Sequence, residues 1–291
     1  MALGNLASRF LVAVVAVPIL LLAFYQRNPL YTWVLIYAAS LVAMAEVFAM
    51  TLPEKGDRAA SLVLGALAVA AFYWMNPDSL PHHGVWLALA DSRHVVLGLA
   101  VIVPLLYYLF RYGDLQTVAP RMAFTVFGIV YAGILLITVA ELKRDGGHYG
   151  GDLVMFVLAV VWAGDTGAYF AGRFLGKHKL YPAVSPKKTW EGAIGGLVGS
   201  FAAGAVMKLW RLDHVFNWAD VALLTIPGAA LGQMGDLAES MLKRSVGVKD
   251  SGSILPGHGG ILDRIDAVLF FAPYVHVYVQ LRLAVFAWRH A

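Results

Sequence analysis

The sequence predicts an all-α polytopic membrane protein with about nine transmembrane helices and a polar pocket that faces the cytoplasm. Hydrophobic residues make up 60% of its 291 positions and charged residues only 14%, whereas soluble domains average roughly 45–50% and 25%. The mean hydropathy is +0.70. Cysteine is absent from the sequence, so any metal must be held by oxygen or imidazole ligands.

Apolar runs of about 20 residues, the length that crosses a bilayer as a helix, divide the chain into predicted spans. Turn-forming and charged residues separate these runs, as at Pro53 to Asp57 and at Arg111 to Pro120. The first run lacks a small-residue cleavage site, so we expect it to be retained. Pro227 is expected to open the eighth helix. The predicted spans are 9–25, 30–50, 59–76, 94–110, 121–140, 152–172, 191–210, 219–237 and 265–287.

The connecting segments are too short to hold a separate soluble domain. Residues 1–291 are therefore predicted to form a single transmembrane domain, with N-terminal helices in 1–150 and the chemically active helices and loops in 152–291. Most of the 22 lysine and arginine residues fall on the side of the N-terminus. The positive-inside rule places that side, with the basic loops 173–190 and 238–264, in the cytoplasm.

The segment from Ser240 to Asp266 concentrates charged residues in a chain that is otherwise mostly apolar, and Asp236 and Glu239 lie just upstream. Asp236, Ser240 and then Lys243 or Arg244 recur at helical spacing, so they share one face of a helix. Ionisable groups at a membrane edge imply a hydrated pocket, and such groups are candidates for function.

A glycine-rich loop, 256–260, precedes the last predicted helix. Without Cβ atoms, Gly259 and Gly260 allow the backbone to approach a phosphate closely. Asp263 and Asp266 follow on one helical face, where the helix dipole favours acidic groups. Mg²⁺ prefers oxygen ligands, and Asp236 and Asp263 are the first choice. The alternative is that these acids pair with Arg244 and Arg264 and cap helices.

A second charged block runs from Asp165 to Gly192. Asp165 and Tyr169 share a face late in the sixth predicted helix. Ser185 and the proline after it are predicted to begin the next helix, which would place Lys187 and Lys188 in a first turn that favours anions. The block therefore predicts a second phosphate site. The alternative is a basic loop that anchors to lipid head groups.

Two further features have both a structural and a functional interpretation. Glu46 is a lone acid in an apolar run, close enough to the end of the run to reach water. Gly192, Gly195, Gly196 and Gly199 have the spacing of small residues that pack helices together. We expect packing rather than catalysis from these glycines, either within one chain or at a dimer interface.

The charged segments resemble the signature of phosphatidate cytidylyltransferases, the CDP-diacylglycerol synthases. The second block, with its SPKKTWEG run, and the many-helix architecture are also similar to that family, so the resemblance covers most of the C-terminal half. The residues that carry the signature are Ser240, Lys243, Arg244, Lys249, Asp250, Gly252, Pro256, His258, Gly259, Gly260, Asp263, Arg264 and Asp266.

The resemblance implies transfer of a cytidylyl group from CTP to phosphatidic acid, giving CDP-diacylglycerol and pyrophosphate. It implies Mg²⁺, with Mn²⁺ as a substitute and a monovalent cation such as K⁺ as a second ion. The phosphate of phosphatidic acid is already anionic, so no strong general base is needed. The difficulty is charge repulsion between two anionic substrates, which positioning and charge neutralisation overcome.

The same resemblance assigns roles to individual residues. Asp236 and Asp263 are the expected metal ligands, with Ser240, Asp250 and Asp266 as further ligands or neighbours of the ligands. His258 is expected to donate to a phosphate oxygen. The groups expected to neutralise the triphosphate and the leaving pyrophosphate are Lys243, Arg244, Lys249 and Arg264. The other expected substrate-binding residues are Asp165, Tyr169, Ser185, Lys187, Lys188, Gly259 and Gly260.

Two other functional classes fit a polytopic protein with clustered carboxylates. A CTP-dependent polyprenol or dolichol kinase would transfer the γ-phosphoryl group to an alcohol. An anion or cation transporter is the non-enzyme alternative, although its charges would lie near mid-bilayer. The expected partners are CTP, phosphatidic acid and membrane lipid, without nucleic acid, and a homodimer fits the family. The expected location is a bacterial inner membrane.

Overall fold

The computed structural model describes residues 14, 16–76, 92–254 and 259–290. For residues 283–290 it describes the backbone alone. Helices dominate the described residues, and a two-stranded hairpin interrupts them. The helices are α1 (Ala16–Tyr25), α2 (Leu30–Thr51), α3 (Lys55–Trp74), α4 (Arg93–Phe110), α5 (Leu115–Gly128), α6 (Leu135–Asp145), α7 (Gly150–Phe174), α8 (Trp190–Trp210), α9 (Trp218–Ser245) and α10 (Leu262–His290). The strands are β1 (Lys179–Tyr181) and β2 (Ser185–Thr189).

The predicted membrane architecture is confirmed. Seven helical stretches of the described residues are long and apolar enough to cross a membrane, and the longest joins α5 and α6 into 31 residues, Leu115–Asp145. Each predicted span meets a helix among the described residues. The first five positions of the first span, 9–13, lie outside them. The chain is therefore an integral membrane protein with several spans.

The expectation that Pro227 opens the eighth helix was wrong, although the predicted span 219–237 begins within one residue of the observed helix. Helix α9 begins at Trp218, and Pro227 lies inside it. Asn217 and Asp220 form a capping box, in which the side chain of each residue accepts a hydrogen bond from the backbone N–H of the other. This cap satisfies the first-turn donors nine residues before the proline. Membrane helices tolerate an internal proline because neighbouring helices re-satisfy the backbone.

The helix predicted at Ser185 was also wrong. Ser185–Thr189 forms strand β2, which pairs antiparallel with β1. Helix α8 begins at Trp190, where the Thr189 hydroxyl accepts a hydrogen bond from the Gly192 N–H at 3.1 Å. Threonine can cap a helix as serine can, and the pairing of Ser185 with Tyr181 and of Thr189 with Lys179 keeps this segment extended until Thr189. Lys187 and Lys188 consequently extend from a strand rather than from the first turn of a helix.

Glycines bring α7 and α8 into direct backbone contact. A Cβ atom on Gly195 would lie 2.2 Å from the Ala171 Cβ atom and 3.0 Å from the Gly167 carbonyl oxygen. A Cβ atom on Gly199 would lie 2.5 Å from the Ala163 carbonyl oxygen. The expectation that these glycines pack helices is thus confirmed, and the contact lies within one chain.

The helices alternate in direction, so polar side chains from distant parts of the sequence meet at one end of the bundle. Glu46, late in α2, reaches the start of α10, and Lys188, just before α8, reaches Asp236 late in α9. The hairpin and the loop between α9 and α10 lie at this same end. A large apolar core draws on both halves of the chain, with Met44 and Phe48 from the first and Phe156 and Phe271 from the second fully buried.

Replacing Gly195 with alanine should destabilise the fold, because the added methyl group overlaps the Ala171 Cβ atom. Overpacking a core typically costs about 1–3 kcal/mol. Thermal unfolding of the purified protein in detergent would measure the loss. Gly98→Ala is the matched control, since nothing lies within 4 Å of a Cβ atom there and alanine favours a helix. Equal melting temperatures for the two variants would contradict the packing role.

Candidate active site

A cavity of about 400 Å³ opens at the polar end of the bundle, between α7, α8, α9 and the hairpin. The second charged block singled out in the sequence contributes Asp165, Tyr169, Lys187 and Lys188 to its lining. Helix α9 contributes Asp236, just upstream of the first charged segment. Its volume lies within the usual range of small-molecule sites.

Lys188 and Asp236 form an ion pair across the cavity. The Lys188 ammonium lies 2.5 Å from the Asp236 carboxylate, and both side chains are about one-third exposed. The Ser240 hydroxyl donates to the other oxygen of Asp236 at 3.4 Å, as the one-turn spacing predicts. Asp165 interacts electrostatically with Asp236, Lys188 and Arg264. The site therefore combines carboxylates with cations that can exchange partners when an anionic ligand enters.

Carboxylates cluster at the membrane side of this cavity. Asp266 interacts electrostatically with Asp236, Glu239 and Asp165. Glu239 is 1% exposed, and one of its oxygens lies 2.5 Å from the Lys243 ammonium. No separate role for Glu239 was predicted. Its position three residues after Asp236, on the same helical face, is the signal that could have assigned one.

Asp263 holds the loop that leads into α10. One carboxylate oxygen accepts hydrogen bonds from the Ser251 N–H and hydroxyl, both at 3.0 Å, and from the Gly260 N–H at 2.8 Å. The other oxygen accepts from Lys243 at 2.5 Å. Asp263 and Lys243 therefore fix the loop against α9.

Glu46 clamps the same loop from the N-terminal half of the chain. Its carboxylate accepts hydrogen bonds from the Ser251 hydroxyl and from the N–H groups of Ile261 and Leu262, at 3.1, 3.0 and 2.8 Å. An anion at these donors also complements the N-terminal dipole of α10. A Cβ atom on Gly260 would lie 2.5 Å from the Glu46 carboxylate, so glycine is required there for close approach. The described contacts make Glu46 an anchor of the loop.

Comparison with known proteins identifies the family to which the chain belongs. A family model described as the cytidylyltransferase family matches residues 7–282, which is nearly the whole chain. This chain belongs to the cytidylyltransferase family. The resemblance found in the charged segments is thereby confirmed.

Several curated relatives of this chain are named phosphatidate cytidylyltransferase. Those from Staphylococcus saprophyticus, Staphylococcus haemolyticus and Staphylococcus epidermidis are 46%, 47% and 44% identical to it over 155 residues. Each alignment covers 53% of this chain and 58% of the relative. The match to these relatives thus spans little more than half of either protein.

Several predicted site residues lie outside the lining of the cavity, among them Arg244, Lys249, Asp250 and Gly259. Arg244 is exposed and donates to the Val248 carbonyl at 3.1 Å, and no acid among the described residues pairs with it as the structural alternative required. Lys249 and Asp250 are exposed in the loop after α9. Gly259 has a φ of +82°, a backbone conformation that favours glycine. His258 lies outside the described residues.

The donor chemistry of the site suits a hard divalent cation, because carboxylate oxygens are the ligands that Mg²⁺ prefers. The part of the chain that the structure describes holds no group of three or more histidine and carboxylate side chains arranged around a metal position. Asp236 and Asp263 each contact a lysine ammonium at 2.5 Å instead. Mg²⁺ at either carboxylate would share it with a lysine or replace that lysine.

Glu46→Gln should loosen the loop between α9 and α10, because the amide loses one acceptor oxygen and its NH₂ group faces backbone donors. Hydrogen bonds to charged groups contribute roughly 1.5–3 kcal/mol. We expect a lower melting temperature and faster trypsin cleavage at the exposed Lys249. Glu54→Gln, at an exposed position of the same end, should leave both unchanged. Unaltered cleavage and melting in Glu46→Gln would refute the clamp.

Proposed function

We propose that this cytidylyltransferase transfers the cytidylyl group of CTP to phosphatidic acid, forming CDP-diacylglycerol and pyrophosphate. The observation that carries the proposal is the cavity in which Lys188 of the second charged block pairs with Asp236, just upstream of the first. The names of the Staphylococcus relatives support the choice of acceptor. A phosphate oxygen of phosphatidic acid attacks the α-phosphorus of CTP. The bond between that phosphorus and the oxygen that bridges it to the β-phosphorus breaks, and pyrophosphate leaves.

Charge neutralisation is the main task of the chain's own residues in this reaction. Lys187 and Lys188 reach the cavity from strand β2, which suits them to hold a substrate phosphate. Lys243 and Arg264, beside the acidic cluster, would balance the triphosphate and the leaving pyrophosphate. Preorganised charges of this kind stabilise a phosphoryl transition state without forming a covalent bond to substrate.

Mg²⁺, with Mn²⁺ as a substitute, is the proposed cofactor. Asp236 and Asp263 are the proposed ligands, with Ser240 and Asp266 as further candidates. The cation would supply positive charge at the phosphate oxygens. Lys188, which contacts Asp236, would then be free to turn towards the phosphates of the nucleotide.

The membrane setting fits one polar and one lipid substrate. The distribution of lysine and arginine supports a cavity that faces the cytoplasm, where CTP is dissolved, and the bacterial relatives support an inner-membrane location. Large apolar side chains beside the cavity are exposed, including Phe170, Phe174 and Trp190 at 52%, 74% and 56%. Such a surface keeps the acyl chains of phosphatidic acid in lipid while its head group enters between the helices.

The function is tested with purified protein in detergent, phosphatidic acid, and CTP labelled separately at the α- and γ-phosphates. We expect α-label in a lipid product and γ-label released as pyrophosphate, both lost when Mg²⁺ is chelated. Transfer of γ-label to a polyprenol would instead indicate the kinase. No transfer from CTP under any metal or lipid condition would reject the proposal and lead to transport assays in vesicles.

Asp236→Asn should lower turnover by about a hundredfold, the scale expected for losing one electrostatic contact at a phosphoryl transition state. The change keeps the size of the side chain and removes its charge, so it weakens both the contact with Lys188 and any bond to Mg²⁺. Initial rates across a Mg²⁺ titration would measure the effect. Asp213→Asn is the control, because Asp213 pairs with Lys208 at the far end of the bundle. Normal turnover of Asp236→Asn at limiting Mg²⁺ would exclude the metal role.

A further inference from the structure

Tyr131 has a buried hydroxyl group that the fold does not satisfy. The residue is 6% exposed, and its hydroxyl has no hydrogen-bond partner among the described residues. The ring is well held, stacked on Phe127 at 4.8 Å and edge-on to Phe270 at 6.4 Å. A phenylalanine would make the same ring contacts. Since a buried polar group without a partner is costly, the hydroxyl calls for an explanation beyond packing.

The acidic cluster of the candidate active site lies next to this hydroxyl. Tyr131 interacts electrostatically with Glu239 most strongly, and then with Asp266 and Asp236. Both carboxylate oxygens of Glu239 are buried and also lack hydrogen bonds within the described structure, although Lys243 lies 2.5 Å from one of them. A buried hydroxyl without a partner thus lies within electrostatic reach of a carboxylate that Lys243 contacts through one oxygen. Phe270, which contacts the Tyr131 ring, lies one helical turn after Asp266.

The backbone around Tyr131 is specialised as well. Residues Ile129–Ile134 form a π-helical segment between α5 and α6, so that the Leu135 N–H donates to the Val130 carbonyl, five residues back. Such segments occur mostly as single turns and are frequent at functional sites. The extra residue in the turn alters which side chains face α9 and α10. Tyr131 lies in the middle of this turn.

We propose that Tyr131 is a positioning residue of the active site: its hydroxyl donates to the Glu239 carboxylate when substrates and Mg²⁺ are bound, and so fixes Lys243. The contacts continue from Glu239 to the loop before α10, because the Lys243 ammonium lies 2.5 Å from the carboxylates of both Glu239 and Asp263. Asp263 in turn holds the loop through Ser251 and Gly260. The role rests on the proposed cytidylyl transfer. It means that Tyr131, a residue of the N-terminal half, positions charged groups of the C-terminal half.

Tyr131→Phe tests the proposal, because it removes only the hydroxyl. We expect kcat to fall about tenfold, the scale of one hydrogen bond to a charged group, with the KM for phosphatidic acid unchanged. The Mg²⁺ concentration that half-maximally raises the melting temperature in the presence of CTP should increase about tenfold. The melting temperature without ligands should stay the same or rise, because a buried unpaired group has been removed.

Tyr108→Phe is the matched control. Tyr108 is fully buried, and its hydroxyl is paired with Thr125 at 3.1 Å, away from the acidic cluster. It should lower the melting temperature and leave the kinetic constants and the Mg²⁺ midpoint unchanged. If Tyr131→Phe behaves in the same way as this control, the hydroxyl is structural and the proposal is overturned.

The two proposals fail in different ways. A wild-type protein without cytidylyl transfer rejects the function, and the Mg²⁺ midpoint from the thermal shifts still decides the role of Tyr131. An active wild type whose Tyr131→Phe variant keeps kcat and the Mg²⁺ midpoint rejects the positioning role alone.

Discussion

The architecture depends on how charged groups are satisfied at one end of an apolar helical bundle. A carboxylate that leaves water must be paired or hydrogen-bonded, and here two of the pairings join different elements of the fold. Lys188 meets Asp236 across the cavity, and Lys243 meets Asp263 between α9 and α10. The contacts that make the charges tolerable near lipid are therefore the same contacts that assemble the pocket.

Close helix packing makes this arrangement possible. In lipid, van der Waals contact replaces much of the hydrophobic drive, so small residues are favoured between helices. The glycines between α7 and α8 let their backbones touch, which brings Asp165 on α7 near Lys188 at the entrance to α8. With larger side chains at this contact the same charges would stand farther apart. The cavity is thus shaped as much by missing side chains as by those that line it.

Hydropathy and turn signals predicted the spans, and the charged segments predicted the family, because both depend on local composition. The errors arose where two local signals competed. Ser185 and its proline resembled a helix start, but pairing with β1 keeps the segment extended until Thr189; Pro227 was overridden by the capping box at Asn217. Long-range pairing was beyond prediction, since nothing near Glu46 or Tyr131 in the sequence indicates the loop or the cluster that each faces.

The Glu46 clamp also has a consequence for how the protein is made. The partner nearest in the chain, Ser251, is 205 residues away. At roughly 5–20 residues per second, about 10–40 s of synthesis separate the carboxylate from that partner. During this interval α2 holds an acidic group near the membrane edge without its final hydrogen bonds. Helix α10 therefore completes the pocket and also supplies hydrogen bonds that the Glu46 carboxylate lacks in the nascent chain. Stable insertion of the N-terminal half is thus linked to the synthesis of α10.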